Sequence, residues 1–366
     1  MQGPLARVVL FDLGKDKSAR LLMVVHHLVV DAMSWRILLE DLHTAYGQLS
    51  RGEALRLPRK TTSYKQWAEQ LEEYAPSDSL SKEALYWLDE RRRRVRKLPR
   101  DRETGAHVAG RFRTVFISLD QQETRELLQD VPAAYNTSVN DALLTALVQT
   151  FARWTGERCL LVDVEGHGRE EIVEGINISR TVGWFTTIFP VLLEVSETDD
   201  LPAIKQIKEQ LQESPQRGIG YGLLRYLRSD ETSAILRELP PAEVLFNYLG
   251  QFDSVLAGST LLRPAQESIG KTKSEKETRR HLLEINASVS DDRLQITWNY
   301  SEHLHDRATI EWLAAEYADA LRRLINHRES SRPEGFAPAD FPGARLNQEE
   351  LNTFLARFKQ GQGRAK

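Results

Sequence analysis

The hydrophobic periodicity of this chain changes abruptly near its start, and that change limits the folds open to it. The runs "ARVVLFDL" (6–13) and "ARLLMVVHHLVV" (19–30) alternate as strands do, with "LGKDKS" between them carrying the Gly, Asp and Ser of a turn. From Ser34, Trp35, Leu38, Leu39, Leu42, Tyr46 and Leu49 recur every three or four residues, the stripe of an amphipathic helix ending near Gly52. A hairpin running into a helix excludes an all-α or all-β chain. The switching continues: helices are predicted at about 63–75, 81–97, 120–130, 138–154, 200–213 and 306–327. Strands are predicted at 113–119, 159–165, 186–195, 242–249, 283–290 and 293–300. The fold class is therefore mixed α/β (α+β), without internal repeats.

With 366 residues, 41% hydrophobic and 28% charged, the chain can bury a core large enough for two subdomains. The polar stretch "KLPRDRETGAHVAG" (97–110) breaks both periodicities and marks the boundary between 1–104 and 105–328. Residues 329–366 read as a linker followed by a short helix at 347–358. A net charge of −4 gives no reason to expect nucleic-acid binding, and no apolar stretch of membrane length or secretory leader is present. With one cysteine, Cys159, there is no internal disulfide framework, and a cytoplasmic location is expected.

Within "VVHHLVVDAMSW" (24–35), neighbouring strand positions point to opposite faces, so one of His26 and His27 should be structural and the other available. Asp31, just ahead of the helix, suits a helix N-cap or a distant cation. "CLLVDVEGHGRE" reads as a strand entering a glycine-bracketed turn, with Glu165 at its rim and Arg169 four residues on, able to orient a carboxylate or phosphate as a planar fork. A solvated surface turn is an equally good reading of these residues alone, and His167 is read as structural. "GIGYG" (218–222) lacks the Lys-Ser/Thr of a phosphate loop and is read as a loop; neither HExxH nor CxxC is present for zinc. The run "RRRRVRK" (91–97) is read first as a solvated face, with docking of an acidic partner as the alternative.

The HHxxxD pattern followed by "SWRILLEDL" resembles the condensation superfamily of nonribosomal peptide synthetases, in particular its epimerization branch. "VEGHGRE" (164–170), "SRTVGWFT" (179–186), "PQRGIGYG" (215–222) and "FNYLGQFD" (246–253) resemble signatures of that branch, in the same order. "HLLEINASVS" and "LQITWNYSE" resemble its C-terminal hairpin. The chain departs from the pattern at Ala32, where the family usually has a glycine suited to φ > 0. It also begins at a point corresponding to the interior of the family's N-terminal subdomain, so a truncated domain is expected.

The resemblance implies two chloramphenicol-acetyltransferase-like subdomains forming a V around a central channel, the N-terminal one incomplete. It implies epimerization of an aminoacyl or peptidyl thioester, with no cofactor bound directly and the substrate delivered on the 4'-phosphopantetheine of a partner carrier protein beside neighbouring synthetase domains. The base maps onto His27 and the opposing acid/base onto Glu165; His26, Asp31 and Arg169 map onto supporting positions. Asn247 and Tyr248 are both implicated, but alternation puts them on opposite faces unless a bulge precedes Gly250, and Tyr248 is favoured as the one facing the channel. The alternatives are a condensation domain forming a peptide bond, which shares the double histidine, and a noncatalytic carrier-docking remnant.

Overall fold

A computed structural model describes residues 3–102, 112–196, 200–251, 261–263, 265, 267–270 and 280–327. The tail at 329–366 and most of the expected boundary (103–111) lie outside these residues. The chain opens with β1 (Ala6–Phe11) and β2 (Arg20–Val25), followed by α1 (Ala32–Ser50), α2 (Tyr64–Tyr74) and α3 (Asp78–Trp87). After β3 (Phe112–Ser118), α4 (Gln121–Arg125) runs through one wide turn into α5 (Val131–Tyr135), and α6 (Val139–Thr155) leads to β4 (Cys159–Gly166) and β5 (Thr187–Glu194). Then come α7 (Asp200–Gln212), α8 (Ile219–Gly222), α9 (Glu231–Glu238), β6 (Val244–Gln251), β7 (Leu283–Ser290), β8 (Arg293–Ser301) and α10 (Arg307–His327). Of these, α5, α8 and α9 have no counterpart in the sequence reading, and α9 is the longest of the three. Its eight residues carry too short a stripe, although Asp230 caps it by accepting from Ser233 N at 3.0 Å.

Two sheets result. β1 and β2 form an antiparallel hairpin, and the other six strands form one mixed sheet in the order β3-β8-β7-β6-β4-β5. β4, β6 and β7 run parallel, so their C-terminal ends lie at the same edge of the sheet. Alternation sorts the faces: Val162, Val164, Val244, Phe246, Ile285, Ala287, Ile296 and Trp298 are buried, while Asn247, Asn286 and Thr297 stay half-buried on the other side. On the buried side Trp298 meets Phe151 of α6 and Tyr317 of α10, at ring distances of 6.3 and 5.7 Å. All of α6 from Asp141 to Ala152 is buried, which suits its near-continuous apolar sequence; Ser138 and Asp141 form its capping box and Gly156, at φ 74°, ends it. α3 joins the same core through Leu80, Ala84 and Trp87, the last of which contacts Phe189 and Tyr221.

Two local expectations change. The basic run is not a uniformly solvated face: Arg92 is buried, donates to the Pro190 carbonyl at 2.8 Å and lies over the rings of Tyr86 and Trp87. Nor is "GIGYG" a loop. Gly218, Ile219, Gly220 and Tyr221 are buried in and beside α8, and a Cβ on Gly220 would fall 2.0 Å from Glu83 Oε2. Gly220 thus lets α8 pack closely on α3, and Gly218, at φ +83°, leaves room for the Phe189 ring of β5, which would lie 2.1 Å from a Cβ there.

The hairpin carries apolar side chains exposed on both faces, with Val8 at 60% and Leu10 at 68%. Apolar surface on a two-stranded edge favours self-association. The isolated chain is expected to associate with rising concentration, and a Val8→Lys/Leu10→Lys double variant to stay dispersed; equal light scattering from the two proteins would refute this.

His305 gives the fold a pH dependence. Its ring is buried beside Trp154, neither nitrogen has a hydrogen bond among the described residues, and Asp101 Oδ2 is 3.8 Å away. Burial pushes its pKa down, with the Asp101 charge opposing. A depressed folded pKa means that the unfolded chain binds the proton more readily. The contribution is thus complete above about pH 6.5, the ordinary histidine value, and is lost as the pH falls from there through the folded value. Melting curves between about pH 5 and 8 should show this decline, and His305→Phe should flatten it.

Candidate active site

The double histidine stands where β2 breaks. His26 is still extended (φ −65°, ψ 133°), and its Nδ1 accepts from Leu28 N at 3.2 Å, capping a single turn over His27–Val29. One imidazole therefore shapes the backbone. The other, His27, is exposed and rests against Trp184 at a ring distance of 5.0 Å, with neither nitrogen hydrogen-bonded among the described residues. Ala32 is the first residue of α1 and is absent from the positive-φ residues, so alanine causes no strain there.

Asp31 does both of the things its position allowed. Its Oδ1 accepts from Ser34 N at 2.7 Å as the N-cap of α1, and its carboxylate pairs with Arg169 Nη2 at 3.1 and 3.3 Å. Oδ2 also accepts from Phe185 N at 3.1 Å. Arg169 is equally committed: Nη1 donates to the carbonyls of Ile178 and Thr181 at 2.7 and 2.9 Å, and its guanidinium lies 4.0 Å from the Phe185 ring centroid. Both side chains are nearly inaccessible, at 5% and 7%. Burial pulls the Arg169 pKa down and the Asp31 charge opposes it. The carboxylate this fork orients is thus Asp31, within the protein. Ser34 completes the clasp, its hydroxyl donating to the Gly183 carbonyl at 2.8 Å and accepting from Gly183 N at 3.0 Å.

These bonds tie the start of α1 to the long connection between β4 and β5. Two glycines permit that connection. Gly168 has φ +65°, and a Cβ there would lie 1.7 Å from the Phe185 carbonyl oxygen; a Cβ on Gly183 would strike the Tyr64 ring at 2.2 Å. Tyr64 in turn donates to the Trp184 carbonyl at 2.8 Å, and His167 Nδ1 accepts from Arg169 N at 3.0 Å.

Glu165 ends β4 on the half-buried face. Asn247 Nδ2 donates to its Oε2 at 2.6 Å, because β4 and β6 are in parallel register, with Val164 opposite Phe246, and the next pair shares that face. This corrects the preference for Tyr248. The irregularity in β6 falls between Tyr248 and Gln251, too late to turn Tyr248 over; it stays opposite the buried Ala287 and packs against the core. Its hydroxyl pKa is raised by that burial. Asn247, not Tyr248, shares the face of Glu165.

Three partners escaped the sequence reading. Ser34 and Trp184 lie inside quoted motifs, but nothing in their spacing signals contact with Gly183 or His27. His281 Nε2 lies 2.8 Å from Asp163 Oδ2, both buried, two residues before Glu165 on the same face of β4. Their separation of 118 residues leaves no local signal.

A hairpin ending in two histidines, clasped through a buried Asp–Arg pair to the loop after a strand-end glutamate, on a mixed six-stranded sheet, has counterparts among known proteins. The condensation-domain family model matches residues 1–340, and the chain belongs to that family. It is 47% identical over 358 residues to one of the proteins that make up the linear gramicidin synthase of Brevibacillus parabrevis, covering 97% of this chain and 5% of that protein. It is 43% identical over 360 residues to chondramide synthase cmdD of Chondromyces crocatus, covering 96% of this chain and 9% of that one. The chain thus spans less than a tenth of these two curated relatives. Among solved structures, it matches the epimerization domain from the third module of tyrocidine synthetase B with a TM-score of 0.82 and 39% identity, over 90% of this chain and 74% of that one.

Proposed function

We propose that the chain inverts Cα of an aminoacyl or peptidyl thioester, L to D, while the substrate hangs on the 4'-phosphopantetheine of a carrier protein. Two chloramphenicol-acetyltransferase-like subdomains, divided at about residue 104 with a tail from 329, form a V with the reaction in the channel between them. Neighbouring synthetase domains supply the carrier and receive the product. The observation that carries this reading is the pairing of His27 with the loop that leaves Glu165, alongside the likeness to an epimerization domain. A thioester Cα–H is weakly acidic, and inversion needs one group to take the proton from one face and another to return a proton to the opposite face. His27 serves as one acid/base and Glu165 as the other, with Asn247 fixing the carboxyl's orientation. His26, Asp31 and Arg169 hold the first motif in place.

The test is to load a carrier protein with an L-aminoacyl group, add the chain in D2O and measure deuterium at Cα. Deuterium with formation of the D-epimer is expected, and free amino acids should remain unchanged. Equal racemisation of free and carrier-bound amino acids would defeat the proposal. Peptide-bond formation without exchange at Cα would instead support the condensation alternative.

A further inference from the structure

The strand register places one continuous row of side chains across the half-buried face of the large sheet. Ile188 lies opposite Glu165, Asn247 beside Glu165, Asn286 opposite Asn247, Thr297 opposite Asn286, and Phe116 opposite Thr297. The row runs at right angles to the strands through all six, with the acid/base glutamate second in it. Its middle members are amides and a hydroxyl, and its ends are apolar and exposed, Ile188 at 39% and Phe116 at 55%.

The adjacent row toward the start of β4 is different in kind. There Asp163 is taken by His281, and Thr114 donates to Asn299 Oδ1 at 2.8 Å. In the Glu165 row, the Asn286 side chain has no partner among the described residues, and Thr297 reaches only the Asn286 carbonyl at 3.4 Å, beyond the usual hydrogen-bond distance. Asn and Thr side chains both donate and accept, which matches the alternating C=O and N–H of a peptide backbone.

From these observations we infer that the row is a track for the peptide part of a peptidyl substrate, leading from Glu165 toward Phe116. This rests on the epimerase reading and narrows its substrate class. Four strand spacings of about 4.8 Å make about 19 Å from Glu165 to Phe116, the reach of about five or six extended residues at about 3.3 Å each. The track is therefore suited to a peptidyl chain of several residues rather than a single aminoacyl group. Phe116 at the far end offers a surface for an apolar side chain. A phosphopantetheine arm would bring a phosphate there, and the nearest candidate cation on β3, Arg113, is already held by Glu302 at 2.8 Å.

The probes are non-hydrolysable pantetheine amides, bare, aminoacylated and tetrapeptidylated, titrated calorimetrically into the 366-residue chain. The tetrapeptidyl probe should bind about fiftyfold more tightly than the aminoacyl one, the order expected from two or three net hydrogen bonds. Asn286→Ala and Thr297→Val should each remove about fivefold from the tetrapeptidyl affinity and leave the aminoacyl affinity within about twofold. Phe116→Ala alters only an exposed side chain and gives an arm independent of folding; it should cost about threefold on the tetrapeptidyl probe alone. Equal wild-type affinities, no measurable tetrapeptidyl binding, or an equal loss on bare pantetheine would each overturn the inference. Binding needs no chemistry, so a retained preference without Cα exchange would sink the epimerase reading and leave the peptide track standing.

Discussion

Glu165→Gln is expected to stop inversion while sparing slow Cα exchange with retention from one enantiomer, and His27→Ala to slow the reaction by about 10²- to 10⁴-fold. Glutamine keeps the shape beside Asn247, whose amide donates to Oε2 at 2.6 Å, but carries no transferable proton at neutral pH. His27 has no substitute on its side, because the neighbouring imidazole of His26 is engaged by Leu28 N. Deuterium incorporation scored separately for L- and D-aminoacyl carriers separates the two effects. Inversion near the wild-type rate in Glu165→Gln would remove Glu165 as the second acid/base. Tyr248 is not the next candidate, since it packs on the other face; a water held by Asn247 would be.

The second large effect is structural. Arg169→Met should leave the Asp31 carboxylate buried without its cation, and breaking such a pair costs about 3–5 kcal/mol. Arg169→Lys should recover little, since one ammonium cannot reach the Ile178 and Thr181 carbonyls together with Asp31. The paired change Asp31→Asn/Arg169→Met should be less damaging than Arg169→Met alone, because the stranded charge is gone. Denaturant melts of the three variants measure this directly. A loss below about 1 kcal/mol for Arg169→Met would show that the clasp is worth no more than a surface pair. Activity should fall with stability, since His27 lies four residues before Asp31 and its neighbour Trp184 directly precedes Phe185.

Much of the fold was legible in the chain. The alternation and helical spacing located the strands and the longer helices, because most bury one face and the period of burial is written in the residues, although the helix expected at 81–97 ends at Trp87. Exceptions arose where local pattern and tertiary packing part company. α9 is too short to display a period, and "GIGYG" looks like a loop until α3 is laid against it. Arg92, one of four consecutive arginines, is buried because two aromatic rings and a carbonyl from another strand surround it.

The site divides the same way. The order of residues establishes that His27 and Glu165 are present, that the turn after Glu165 is bracketed by glycines, and that Asn247 and Tyr248 point in opposite directions. It leaves open which of those two shares the face of Glu165, because a strand fixes only relative orientation and the choice of face depends on the register of β6 against β4. It also leaves open whether Asp31 caps a helix or pairs with a cation. Packing brings Arg169 across 138 residues to Asp31, and one carboxylate then does both. Local orientation is set by backbone geometry within a few residues, whereas partners are set by which buried faces meet, and that is a property of the whole packed chain.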